Sequence, residues 1–121
     1  MKISISCKDI PLDEAAREVV TRRFQFALSR FDPEIHDVQV RGTDKNGPKG
    51  GIDKCCRVTV HLATGTIITV FDEDADFLVA ASRAADRVGR SVARTVDRIS
   101  KSKNGVSMSG LPSWDVVQKS N

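Results

Sequence analysis

Long hydrophobic runs are absent from this sequence: no uninterrupted apolar stretch approaches the ~20 residues that a bilayer-spanning helix needs. Residues 1 to 30 also lack an apolar h-region with a small-residue cleavage site, so the expectation is a soluble, cytoplasmic protein with no membrane partner. Cysteine is sparse and badly arranged for cross-links. Cys7, Cys55 and Cys56 are odd in number, two are adjacent, and none falls in a C-x-x-C pair; they read as small core residues in a reducing compartment. Histidine occurs only as His36 and His61. A metal site would need the fold to gather both against the cysteines, so no metal and no other cofactor is expected. Phosphate-cradling and nucleophile-elbow motifs are missing too, and Cys55 has no adjacent base to activate it. These absences argue against an enzyme and against a small-molecule substrate.

What is present suffices for one core: 121 residues, 40% hydrophobic, make one compact domain and leave no room for two large ones. The formal net charge of +3 supports no nucleic-acid reading by itself, so the placement of charge decides. Between Arg83 and Lys103 seven basic residues meet two acidic ones, a segment net of +5, and the rest of the chain sums to −2. One element carries the whole positive excess.

The opening Lys2-Ile3-Ser4-Ile5-Ser6-Cys7 alternates with a period of two, which predicts a half-buried strand with Ile3, Ile5 and Cys7 inward. After Pro11, Asp13 caps a helix whose apolar positions Ala16, Val19, Val20, Phe24, Ala27, Leu28 and Phe31 recur at three and four until Asp32-Pro33 stops it. A strand over residues 36–41 follows, then a loop from Thr43 to Asp53 marked by Asn46-Gly47-Pro48 and Gly50-Gly51. Alternation resumes with Cys56, Val58, Val60 and Leu62 inward; Ala63-Thr64-Gly65 turns the chain into a strand over residues 67–71. The cluster Asp72, Glu73, Asp74 and Asp76 is read as the start of a long helix, where carboxylates favour the positive end of the dipole. The predicted fold is α+β, β-α-β-β-β-α: a four-stranded mixed sheet, its first two strands parallel, with both helices on one face and the other face wet. Residues 1–103 form the domain and residues 104–121, rich in glycine and serine, are expected to be a flexible tail.

Along the second helix Ala81, Ala84, Ala85, Val88, Val92, Val96 and Ile99 cluster on one side. Arg83, Arg87, Arg90, Arg94, Arg98 and Lys101 step by four, three, four, four and three on nearly the opposite side. That stripe spans roughly 27 Å, the reach of several successive phosphates of a folded RNA. Arginine forks pair bidentately with phosphate, whereas six like charges at this spacing destabilise their own helix. The alternative is an ordinary solvated face, with Asp86 or Asp97 pairing locally with Arg90 or Arg94. From the first helix Arg22 projects away from the core stripe, Arg23 and Arg30 flank it, and Phe26 lies off it, as an exposed stacking ring or a satellite core contact. Lys45 and Lys49 read first as solubilising loop residues and second as phosphate contacts.

The element order resembles the ribosome hibernation promoting factor family, also known as the ribosome-associated inhibitor or sigma-54 modulation family, over roughly residues 1 to 103. The residues that carry the likeness are Leu62-Ala63-Thr64-Gly65-Thr66-Ile67, then Asp72-Glu73-Asp74-Ala75-Asp76-Phe77-Leu78-Val79-Ala80-Ala81, leading into the arginine stripe. The resemblance implies a domain similar to a double-stranded-RNA-binding fold, bound to the small ribosomal subunit and the intact ribosome in the tRNA and mRNA channel. Such a protein inhibits translation by occupancy, as part of a stress response. By that likeness Arg83, Arg87, Arg90, Arg94 and Arg98, with Arg22 and Arg23 of the first helix, would clamp ribosomal RNA phosphates, and Lys101 extends the stripe. Phe77 stands where tyrosine is common in the family, and the loop from Thr43 to Asp53 is longer and richer in glycine than its pattern. Long members add a dimerisation domain after a linker; here only 18 residues follow Lys103, so none is expected.

Two further roles stay open at this point. Trp114, within Leu111-Pro112-Ser113-Trp114-Asp115-Val116-Val117, either folds back on the sheet or docks a partner. The open sheet face, with Gln39, Arg41, Arg57, Thr59 and His61, offers a different kind of function, a protein-protein regulator that binds an acidic partner such as a polymerase subunit.

Overall fold

The computed structural model describes residues 1–45 and 54–103, except the side chains of 101–103. Strands β1 (Lys2–Lys8), β2 (Ile35–Asp44), β3 (Lys54–Leu62) and β4 (Ile67–Asp74) form one sheet in the order β1-β2-β3-β4. Helix α1 (Glu14–Leu28) connects β1 to β2, which run parallel, and α2 (Phe77–Lys103) follows the antiparallel β2, β3 and β4. This is the expected β-α-β-β-β-α order.

Local chemistry sets the element ends. The Asp13 carboxylate accepts from the Ala16 amide at 2.7 Å and caps α1. Gly65 turns the β3–β4 hairpin at φ +98, a conformation that a Cβ would strain. The helix expected to run to Asp32-Pro33 ends instead at Leu28, and residues Ser29–Glu34 tighten into a 3-10 turn that contains Pro33. Proline has no N–H with which to bond the carbonyl four residues back, so the α pattern fails one turn early.

Two boundaries differ more consequentially from expectation. β2 continues through Gly42, Thr43 and Asp44, so the segment expected to be loop from Thr43 contributes strand pairs at Thr43↔Cys55 and Asp44↔Lys54. β4 continues through Asp72, Glu73 and Asp74. The acidic cluster therefore does not open α2, whose first turn holds no acid. Asp76 alone does that work, its carboxylate accepting from the Leu78 amide at 2.9 Å and its carbonyl from Ala80. Strand propensity disfavours aspartate, but register with β3 and partners for the side chains override it.

The core lies between the sheet and the helices. Val38, Val40, Cys56, Val58, Val60 and Ile68 point from the sheet onto Val20, Phe24 and Leu28 of α1 and Ala80, Ala84, Val88 and Val92 of α2. Val19, expected in the α1 stripe, is 55% exposed; it lies about 100° round the helix from Val20, outside the arc that meets the sheet. Burial pushes the Cys56 thiol up to about 12, so at neutral pH it is an apolar core residue, as expected of it. No helix among the described residues is long and apolar enough to cross a membrane.

Candidate nucleic-acid interface

The small residues of α2, Ala80, Ala81, Ala84 and Ala85, are fully or nearly fully buried and let the helix axis approach the sheet closely. A helix so seated turns the opposite side to solvent, and Arg83, Arg87, Arg90 and Arg94 are all exposed there, with Arg98 half-buried further along. The side chain of Lys101 lies outside the described residues, as do Lys49 and Trp114.

The stripe is one row of side chains in two environments. Arg83 reaches back to β4: its Nη2 donates to Asp72 Oδ1 at 2.9 Å and to the Glu73 carbonyl at 2.7 Å, and its Nε donates to Asp72 at 3.2 Å. Arg87 donates to the Phe71 carbonyl at 2.8 Å and lies 3.5 Å from Asp72 Oδ2. The first half of the stripe thus straps α2 to the end of β4, through the acids whose continuation of the strand the sequence hid. Roughly half of each side chain still faces solvent, 48% and 53%.

Those bonds hold the Asp72 carboxyl below the usual carboxylate range, the Arg83 hydrogen bonds contributing most and the Glu73 amide adding to them against the cost of burial. A group whose folded pKa is depressed stabilises the fold above its unfolded value, about 3.9, and that stabilisation is lost as pH falls through the folded value. Asp72→Asn is therefore expected to be less stable than the parent at pH 7 and to lose less stability between about pH 5 and pH 2. Thermal unfolding midpoints across that range check it, and parallel curves would refute the strap.

The second half of the stripe faces an open groove between the helices. Arg23, Phe26, Ala27, Ser29 and Arg30 line one wall and Asp86, Gly89, Arg90, Ala93 and Arg94 the other, enclosing about 630 Å³. Gly89 makes the close crossing possible, since a Cβ there would stand 3.3 Å from the Ala27 carbonyl oxygen. Asp86 pairs with neither Arg90 nor Arg94 but with Arg23 across the groove at 2.8 Å, tying α1 to α2. Arg90 makes no ion pair among the described residues, and Arg94 has only a 3.4 Å contact to Ser91. Arg30 stacks on the Phe31 ring at 4.7 Å from its centroid.

Phe26 is 81% exposed beside these cations, an aromatic face in solvent rather than a satellite of the core. Arg22 points away from the groove, 74% exposed and 3.4 Å from Glu18. Lys45 is engaged with Glu73 of β4. The pairing of Arg23 with Asp86, residues 63 apart, was not legible in spacing, because only the helix crossing brings them together.

A four-stranded α+β domain with both helices on one face, and an arginine-lined groove between them, defines the class. The chain belongs to the sigma-54 modulation protein / S30EA ribosomal protein family, whose model matches residues 3–100. It is thereby a ribosome-associated protein of translation regulation. A ribosomal subunit interface protein from Coxiella burnetii has the same fold, with a TM-score of 0.68 at 15% identity, over 80% of this chain and 99% of that one. The Protein Y N-terminal domain of Thermus thermophilus matches with a TM-score of 0.61 at 26% identity, over 78% of this chain and 94% of that one. A comparison with curated proteins gives no match.

Proposed function

We propose that this protein binds ribosomal RNA of the small subunit in the tRNA and mRNA channel and silences translation by occupying it. The observation that carries this reading is the groove, where Arg23, Arg30, Arg90 and Arg94 converge around an exposed Phe26 and Asp86 is the one acidic residue among the described residues of the lining. Guanidinium groups at that spacing suit phosphates, and the ring suits an unstacked base at a loop or bulge. Contacts of this kind position the protein on a folded RNA without reading its sequence. Arg83 and Arg87 add charge at the near end of the same face while holding α2 to β4.

Sedimentation through sucrose gradients with ribosomes and separated subunits tests the reading. Comigration with the small subunit and the intact ribosome is expected at low salt. The log-log dependence of binding on salt is expected to have a slope of about −0.7 to −0.9 per phosphate contact. Protein that remains at the top of the gradient at low salt would overturn it.

A further inference from the structure

The side of the sheet away from the helices carries a pattern that the helix-face reading leaves unused. Strand register sets its residues in rows: Ser6, Arg41, Arg57 and Phe71 stand side by side across all four strands, next to a row of Ser4, Gln39, Thr59 and Thr69. Strands lie about 4.8 Å apart, so Phe71, Arg57 and Arg41 fall within roughly 10 Å of one another. Phe71 is 57% exposed, and both arginines are exposed.

Like charges directly opposite on an antiparallel pair destabilise a sheet, yet Arg41 stands opposite Arg57. Among the described residues no carboxylate relieves them. The face does have acids, Asp37 and Glu73, but Asp37 lies 2.6 Å from His61 Nδ1 and Glu73 is bound to Lys45. An aromatic ring beside two unrelieved guanidinium groups, bordered on one side by the uncharged row of Ser4, Gln39, Thr59 and Thr69 and on the other by the row of Lys8, Thr43, Cys55 and Glu73, matches a nucleotide: a base to stack, a phosphate to bind and polar base edges to satisfy. A protein interface of useful affinity centres instead on a desolvated apolar core, and a single ring between polar rows does not make one.

We propose that this face is a second nucleic-acid surface, a stacking platform for single-stranded RNA centred on Phe71, Arg57 and Arg41. It is independent of the groove between the helices, so one molecule holds folded RNA on its helix side and an unpaired strand on its sheet side.

The test titrates the full chain with a fluorescein-labelled 10-nucleotide oligouridylate, reading anisotropy and 1H–15N amide shifts. Amides of Arg41, Arg57 and Phe71 are expected to move. In an Arg90→Glu/Arg94→Glu background, which weakens the helix-face contribution, the single strand is still expected to bind. There Phe71→Ala weakens it about 5- to 150-fold, the loss of one stacking aromatic, and Phe71→Trp restores it. Ribosome sedimentation of the single Phe71→Ala variant, whose groove arginines are intact, reads the helix face alone, so the two readings fail separately. The proposal falls if the background variant binds no oligouridylate at low salt, or if Phe71→Ala changes nothing there. It also falls if shifts confine themselves to α1 and α2, or if a polyglutamate peptide rather than RNA moves the sheet amides.

Discussion

Reversing two charges, Arg90→Glu with Arg94→Glu, is expected to abolish comigration with ribosomes while leaving the thermal unfolding midpoint nearly where it was. Both side chains are exposed on the groove wall, outside the core that seats α2. Surface changes away from packed or paired groups stay within about 0.5 kcal/mol. Each hydrogen bond to a charged partner contributes about 1.5–3 kcal/mol. Losing two such contacts therefore weakens binding by at least about 100-fold, since 1.4 kcal/mol is tenfold. Reversal adds repulsion to that loss, and the salt slope should shrink by about 2. The same reversal at Arg83 and Arg87 gives a different result, because their partners are Asp72, the Glu73 carbonyl and the Phe71 carbonyl. Placing glutamates there sets carboxylates against Asp72, so stability and binding fall together. Measuring affinity and unfolding midpoint for both pairs separates a binding wall from a strap; equal loss of stability in both would remove the distinction.

The second large effect lies in the core where β2 passes under the start of α2. Phe77 is 5% exposed, and a Cβ built on Gly42 would stand 2.6 Å from its Cε1 and 2.9 Å from the Cys7 sulfur. Glycine is required at that position for space, not for an unusual φ. Phe77→Ala is expected to cost about 3–5 kcal/mol, a large share of the ~5–15 kcal/mol that holds a domain together. Gly42→Ala overpacks the same spot and costs about 1–3 kcal/mol. Combined, the two should cost less than their sum, because the cavity left by the ring admits the new methyl group. Urea unfolding of the four proteins closes the cycle, and strict additivity would show that ring and glycine do not share the site.

Period and composition were enough to read most of the architecture. Alternation at Ile3, Ile5 and Cys7 and at Cys56, Val58 and Val60 fixed which faces turn inward, since a strand offers only two. The alanines of α2 and the arginines opposite them announced a helix with a core side and a cationic side, because 100° per residue leaves no other arrangement. Asp72, Glu73 and Asp74 misled local reasoning. Their chemistry suits a helix start, but β3 offers them a ladder and α2 offers Asp72 its cations, both from segments distant in sequence.

What the sequence by itself determined is therefore the order of elements, the inward faces and the concentration of positive charge on α2, all consequences of periodicities shorter than a turn or a strand pair. Tertiary structure alone decided how that charge is divided. It is the crossing of α1 over Gly89 that sets Arg23 against Asp86 and opens the groove onto Arg90 and Arg94, and it is the extension of β4 that ties down Arg83 and Arg87. The rows of the sheet face belong to the same category, because Phe71, Arg57 and Arg41 are neighbours only through strand register. An ion pair or a shared groove depends on distances between residues far apart in the chain, and packing sets those distances where local spacing cannot.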